Sequence, residues 1–163
     1  MAAIIRDETK SDLAAIRTVH RLAFAGEGEA RLVDALRRSG DAVLSLVAQR
    51  ENRVVGHVLL SRLEAPMRAL ALAPVGVLPD HQGRGIGSAL IGAGLKRAQS
   101  DDFDAVFVLG EPAFYRRFGC SVEDARDYES VYAGAFFMIR PLVAGSLPTA
   151  GRIEYPPAFA DLT

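Results

Sequence analysis

The chain has 163 residues, about the size of one domain, and half of them are apolar, which predicts a single globular domain over residues 1–163. Nineteen basic and twenty acidic side chains give a net charge of −1, so no overall positive field would attract nucleic acid or an anionic membrane. The single cysteine, Cys120, cannot form an internal disulfide, and no apolar run reaches the roughly 18 residues of a membrane helix. We therefore expect a soluble, cytoplasmic protein that binds neither nucleic acid nor membrane.

The first half of the chain predicts a strand, two helices and three further strands. Apolar residues and His20 recur at helical spacing over about residues 11–24, and a second helical pattern ends at Gly40, which can adopt a left-handed cap. Strands are predicted over 43–50 and 54–61, joined by a short hairpin turn, because apolar and β-branched residues flank a polar triplet.

The next strand, over 68–77, contains an irregularity. Pro74 cannot donate a hydrogen bond to a central ladder, and Gly76 follows it closely. The strand should therefore be bulged or splayed near residues 74–76, which would leave backbone groups free there.

The second half completes a mixed sheet with helices packed on it. We predict a glycine-rich turn and helix over 83–99, a buried strand over 105–109, a short helix from Pro112, and a strand over 131–140. Residues 141–163, which are rich in proline, are expected to form an extended tail over the sheet. The fold class is therefore α/β (α+β).

The segment Gln82–Ser88 carries the strongest chemical signal. Gly83, Gly85 and Gly87 let successive backbone N–H groups approach a ligand, and the predicted helix behind them adds a partial positive charge. Arg84 adds a formal charge. The segment therefore predicts a cradle for a pyrophosphate.

Two other phosphate-binding motifs fit this segment poorly. A P-loop needs Gly-Lys-Ser/Thr, which is absent, and a dinucleotide fingerprint would place its third glycine at Ser88. The remaining alternative is that the glycines serve only a tight turn and close helix packing.

The run Gln82–Gly87 resembles the Gln/Arg-x-x-Gly-x-Gly/Ala signature of the GNAT superfamily of acetyl-CoA-dependent N-acetyltransferases. The resemblance implies a mostly antiparallel sheet of about seven strands with a splayed central strand, about four flanking helices, acetyl-CoA as co-substrate and no metal. It also implies cofactor contacts at Val75, Gly76, Val77, Gln82, Gly83, Arg84, Gly85, Ile86, Gly87 and Ser88.

A second segment, Phe114–Cys120, is similar to the family's Leu-Tyr-x-x-x-Gly-Phe motif. This resemblance implies that Tyr115 is the general acid that protonates the departing CoA sulfur. The alternative is a tyrosine packed in the core. Cys120 replaces the usual phenylalanine, and the asparagine often found upstream is absent, with Val108 and Leu109 near its place.

The whole chain also resembles a subgroup of small bacterial proteins, the YhbS-like predicted N-acetyltransferases. The features that carry this resemblance are Glu29–Val33, Val55–Val58, Val106–Gly110, Pro112–Tyr115 and Tyr155–Phe159. The subgroup does not name the acceptor; we predict direct transfer of an acetyl group, in a ternary complex, to a primary amine of a small molecule or peptide, and a homodimer is common in such proteins. Alternatives are transfer of another acyl group and a non-catalytic acetyl-CoA sensor.

No residue stands out as the general base. Glu29 and His57 are candidates, although Glu29 could be a solvated first-turn residue and His57 a satisfied core histidine. The arginine pair Arg116 and Arg117 could contact a CoA phosphate or form a solvated helix face. The three histidines are scattered and show no metal-ligand spacing.

Overall fold

The computed structural model describes residues 2–162, which form four α-helices and two sheets. The helices are α1 (Leu13–Ala23), α2 (Gly28–Ser39), α3 (Ile86–Ser100) and α4 (Pro112–Tyr115). The strands are β1 (Ile4–Asp7), β2 (Ala42–Arg50), β3 (Arg53–Arg62), β4 (Ala69–Val77), β5 (Ala105–Leu109), β6 (Tyr128–Glu129), β7 (Phe137–Pro141) and β8 (Gly151–Arg152). None of these helices is both long and apolar enough to cross a membrane.

The main sheet has six strands in the order β1-β2-β3-β4-β5-β7, and β6 pairs with β8 in a separate sheet. Only the β4–β5 pair of the main sheet is parallel, so the sheet is mostly antiparallel, which confirms the predicted fold class. The expected seven strands are thus six in the main sheet and two outside it.

Several predicted boundaries are confirmed by local backbone geometry. Gly40 caps α2 with a φ of 79°, a conformation that favours glycine. Glu51 and Asn52, with φ angles of 52° and 63°, form the two-residue turn between β2 and β3. Positive φ at both positions matches the right-handed twist of a hairpin.

The predicted strand over 131–140 is wrong in its first half. β7 begins at Phe137, which pairs with Leu109, the last residue of β5, so the residues before it have no neighbouring β5 residue to pair with. Val131 is 86% exposed, and Gly134 has a φ of 147°. A strand needs a hydrogen-bonded neighbour, and residues 131–136 instead form an exposed loop.

The tail is also more structured than predicted. It contains β8 and a 3₁₀ helix at Pro157–Asp161 that contacts α2. Two of its side chains, Ile153 and Phe159, are buried.

The main sheet separates two hydrophobic cores. Val58 and Leu59 are adjacent on β3 and both fully buried, yet they belong to different cores because successive side chains point to opposite faces. Leu59 packs with residues of α1 and α2 such as Ile16, and Val58 packs with residues of α3 such as Leu90.

The predicted splay is present at the carboxyl end of β4. β5 pairs with β4 only at Ala69–Ala71, whereas β3 pairs with it as far as Val77. The β3–β4 register shifts between Val58 and Leu60, opposite residues 73–74. One edge of β4 is therefore open from about Ala73 to Val77, and β4 and β5 part to form a gap.

Candidate active site

A cavity of about 460 Å³ lies where β4 parts from β5. Nine of the ten expected cofactor contacts line it, from the open edge of β4, the glycine turn and the start of α3. Arg84, the tenth, is exposed and is not among the lining residues. Phe24, just after α1, Phe114 of α4, and Arg117, just after α4, also line it.

The glycine turn presents free backbone amides to this cavity. Gly83 and Gly85 have φ angles of 76° and 81°, and a Cβ added to either would meet no atom within 4 Å. Glycine is thus required at both positions by the backbone conformation rather than by crowding. The first bond within α3 runs from Ala89 N to Gly85 O at 3.0 Å, so the preceding first-turn N–H groups have no helical partner. This arrangement suits an anion.

The side chain of Gln82 fixes the turn to the sheet. Its Nε2 donates to the carbonyl of Val77 over 3.0 Å. The side chain is therefore engaged in holding the turn against the end of β4.

A cation lies beside the turn, although it is not the arginine within it. The guanidinium of Arg117 donates to Ser88 Oγ over 3.2 Å and lies 4.3 Å from the centre of the Phe114 ring. These contacts hold a positive charge next to the first-turn amides of α3. The sequence had left open whether this arginine contacts ligand or solvent.

Tyr115 packs in a hydrophobic core and is not among the residues that line the cavity. It is 9% exposed, and burial raises the pKa of its phenol. Its ring packs on Gly110, where an added Cβ would lie 2.4 Å from Tyr115 Cε2, so this position requires glycine. Cys120, also buried, has a thiol whose pKa burial raises to about 11, so it is protonated at neutral pH.

The two candidate bases lie elsewhere. Glu29 is half-buried in the first turn of α2 and is not among the residues that line the cavity. His57 is fully buried on β3, opposite Gly76 of β4. Within residues 2–162, no group of three or more His, Cys, Asp or Glu side chains is placed to hold a metal ion.

His57 belongs to a buried row of polar side chains that the sequence did not reveal. Its Nδ1 lies 2.8 Å from His20 Nε2, and its Nε2 lies 2.7 Å from Ser45 Oγ. The Ser45 hydroxyl donates to Glu8, and Arg37 Nη2 donates to the same carboxylate over 2.6 Å. We call these five residues the polar row.

The far end of the polar row reaches the cavity wall. A Cβ added to Gly76 would lie 2.9 Å from His20 Nδ1. Gly76 was predicted as part of a backbone irregularity, and the structure gives it a second role, because only glycine lets His20 approach β4. Polar residues at inward positions of apolar strands, such as Ser45 and His57, were the available signal in the sequence.

Burial controls the charges in the polar row. It lowers the pKa of His20 to about 3, with the charges of His57 and Arg37 acting in the same direction, and it also lowers the pKa of His57. Burial acts to raise the pKa of Glu8, but hydrogen bonds and the charge of Arg37 outweigh it and hold this pKa at about 2. At neutral pH the row thus contains two neutral rings and the ion pair between Glu8 and Arg37.

Comparison with known proteins identifies the family to which the chain belongs. The acetyltransferase (GNAT) family matches residues 13–120. The uncharacterized N-acetyltransferase YjhQ of Escherichia coli K12 is 38% identical, over 89% of this chain and 87% of its own length. The uncharacterized N-acetyltransferase YhbS of the same strain is 31% identical, over 93% of this chain and 95% of its own.

Solved structures agree with the sequence relatives. The crystal structure of E. coli YhbS in complex with CoA has a TM-score of 0.89, with 29% identity over 98% of this chain and 93% of that one. A GNAT acetyltransferase from Brucella melitensis in complex with acetyl-CoA has a TM-score of 0.82, with 33% identity over 96% of this chain and 97% of that one. These matches confirm the resemblance found in the sequence, and the chain belongs to the GNAT family of acetyltransferases.

Proposed function

We propose that this enzyme transfers the acetyl group of acetyl-CoA directly to a primary amine within a ternary complex. The observation that carries the proposal is that the free amides of the glycine turn and the open edge of β4 line one cavity. Two similar proteins were crystallised with CoA or acetyl-CoA, which supports the same ligand here.

Acetyl-CoA would lie along this cavity in one direction. Its diphosphate would accept hydrogen bonds from the amides between Gly83 and Ser88, beside the charge of Arg117. The pantetheine arm would pair with the open edge of β4 at Val75–Val77 like an added strand. This placement would direct the thioester into the gap between β4 and β5.

The acceptor would approach the gap past exposed apolar side chains. Phe24, which also lines the cavity, and Leu109 are 41% and 40% exposed at the ends of α1 and β5, and Phe136, in the loop before β7, is 57% exposed. Exposed apolar side chains can serve as binding contacts. We propose a small-molecule or peptide amine that places apolar groups against some of these side chains.

Direct transfer requires an uncharged amine. Neutralising a lysine-like amine at pH 7 costs about 4–5 kcal/mol, whereas an α-amino group costs about 1 kcal/mol. A base is therefore needed most for the first kind of acceptor, and Glu29 and His57 are the candidates that the sequence offers. Tyr115 is proposed as the acid for the CoA sulfur, because its motif matches the family's.

The test has two stages. Calorimetry with acetyl-CoA, CoA and NAD should show binding of the first two and none of NAD. Release of the CoA thiol should then be measured with a panel of primary amines, with acetyl-CoA and longer acyl-CoA donors in parallel. Release that depends on an amine supports the proposal, and a preference for a longer acyl group would correct the donor. Binding without release would instead indicate a sensor, and absence of binding would overturn the proposal.

A further inference from the structure

The polar row has only one consistent arrangement of protons. Glu8, paired with Arg37, is a carboxylate and can only accept hydrogen bonds. The one proton of the Ser45 hydroxyl goes to Glu8, so its oxygen must accept from His57 Nε2–H. The distance from His57 Nε2 to Glu8 Oε1 is 3.8 Å, too long for a direct hydrogen bond, so the link runs through Ser45.

The protons of the second ring follow from those of the first. A neutral His57 with its proton on Nε2 has a lone pair on Nδ1, which must accept from His20 Nε2–H. A neutral His20 with its proton on Nε2 has a bare lone pair on Nδ1. The orientation of this lone pair is thus set by Glu8, three hydrogen bonds away.

The bare nitrogen has no partner in the part of the chain that the structure describes. His20 is 0% exposed, and its Nδ1 makes no hydrogen bond within residues 2–162. An unpaired buried polar atom is costly and calls for an explanation. It lies against Gly76, which lines the cavity at the splay of β4, and its ring stacks on Phe24, another lining residue, with 5.9 Å between ring centres.

We propose that His20 is the general base of this enzyme, and that its Nδ1 takes the proton of the acceptor amine across one water molecule beside Gly76. The inference rests on the proposed acetyl transfer. The neutral amine nitrogen attacks the thioester carbonyl carbon and a C–N bond forms. The nitrogen of this adduct is positively charged and far more acidic than a free ammonium ion, so one of its N–H protons passes to His20 Nδ1 although the pKa of that ring is low. The C–S bond then breaks, Tyr115 gives a proton to the CoA sulfur and regains one from water, and His20 returns its own to water. A neutral amine therefore reacts with no net release of protons, and an ammonium acceptor releases one.

The remaining members of the polar row are positioning residues. His57 and Ser45 hold His20 in the tautomer that bares Nδ1, and the carboxylate of Glu8 fixes the direction of the whole row by accepting from Ser45. The groups that face the two rings are thus Glu8 beside β1, Arg37 on α2 and Ser45 on β2. His57, a base candidate from the sequence, acts through His20.

The first test needs no acceptor. Nuclear magnetic resonance of the full chain with ¹⁵N-labelled histidine should show His20 and His57 as neutral rings, both protonated on Nε2, at pH 7. Ser45→Ala should disturb this pattern, because His57 Nε2–H loses its acceptor. The Ser61→Ala control should not, since Ser61 is a buried serine on β3 whose Oγ has no hydrogen-bond partner within residues 2–162. A proton on His20 Nδ1, or a charged His20, would overturn the proposal.

The second test uses an amine that the screen identifies. His20→Gln keeps an amide nitrogen near the position of Nε2 and has nothing at Nδ1, so kcat should fall about 100-fold while KM for acetyl-CoA changes less than about threefold. Ser45→Ala should lower kcat about tenfold, Ser45→Thr should restore it, and Ser61→Ala should match the wild type.

If His20→Gln fails to fold, the two Ser45 variants still test the role of His20. Equal rates for Ser45→Ala and Ser45→Thr, or near-wild-type transfer by a folded His20→Gln, would overturn the role of His20 with acetyl transfer intact. Absence of acetyl-CoA binding by the wild type would overturn the proposed function and this inference with it.

Discussion

The glycine turn and the polar row border neighbouring residues of β4, Val77 and Gly76, and are built in opposite ways. The turn is one contiguous segment, open to the cavity, and its binding groups are backbone amides. The polar row joins side chains from β2, β3, α1, α2 and the residue after β1, and both its rings are fully buried. A site made of backbone is encoded locally, whereas a site made of converging side chains is encoded by strand register and helix packing.

The largest expected effect comes from a substitution at the start of α3, compared with one further along the same helix. Gly87→Leu should weaken acetyl-CoA binding at least about 100-fold, or about 2.7 kcal/mol, because the side chain would fill the space above the first-turn amides. The backbone permits the change, since an added Cβ would meet only Val77 Cγ2 at 3.8 Å.

The matched control lies on the same helix. Gly92 is exposed and a Cβ there would meet nothing within 4 Å, so Gly92→Leu should bind acetyl-CoA as the wild type does. Calorimetry compares the two variants, and equal affinities would contradict the placement of the diphosphate.

The second prediction concerns the loss of folding stability at low pH that the polar row should cause. An unfolded His20 takes up a proton below pH 6.5, whereas the folded one, with its pKa lowered to about 3, does not. Stability should therefore fall as the pH drops from 6.5 toward 3, by about 1.4 kcal/mol per pH unit for each such histidine. Glu8, with its pKa lowered from 4.5 to about 2, should add to the loss below pH 4.5.

Urea unfolding at pH 7, 6 and 5 measures this slope. In His20→Gln, the slope of the free energy of unfolding against pH should be smaller by the contribution of one histidine. Ser61→Ala should leave this slope unchanged. An unchanged slope in His20→Gln would contradict the neutral buried ring.

The third prediction compares two neighbouring arginines. Arg117→Ala should weaken acetyl-CoA binding about tenfold, because it removes the cation held beside Ser88. Arg116, exposed and outside the cavity lining, should tolerate alanine within about twofold. Equal losses in a binding titration would show that only general charge matters.

The smallest expected effect is at Tyr115. A thiol is an adequate leaving group near neutral pH, so Tyr115→Phe should lower kcat about three- to tenfold and leave acetyl-CoA affinity unchanged. Steady-state kinetics with an accepted amine measures both quantities. An unchanged kcat would make this tyrosine a packing residue.

The sequence predicted what depends on neighbours along the chain. Gly40 and the hairpin at Glu51 and Asn52 follow from local backbone preferences, and so does the irregularity near Pro74. The sequence could not predict that β5 ends at Leu109. This early end removes the partner that a longer β7 would need.

The same limit applies to the candidate site. His20 fits the helical spacing of apolar residues in the first helix, and the structure buries it. Its chemistry depends on His57, 37 residues away, and on the absence of a side chain at Gly76. Contacts of this kind depend on tertiary packing, which local sequence patterns do not predict.

A crystal structure of the chain with CoA would test the account most directly. We expect diphosphate oxygens within about 3.2 Å of backbone nitrogens between Gly83 and Ser88, and the pantetheine arm beside Val75–Val77 with its sulfur in the gap between β4 and β5. CoA bound elsewhere, with this cavity empty or closed, would contradict it.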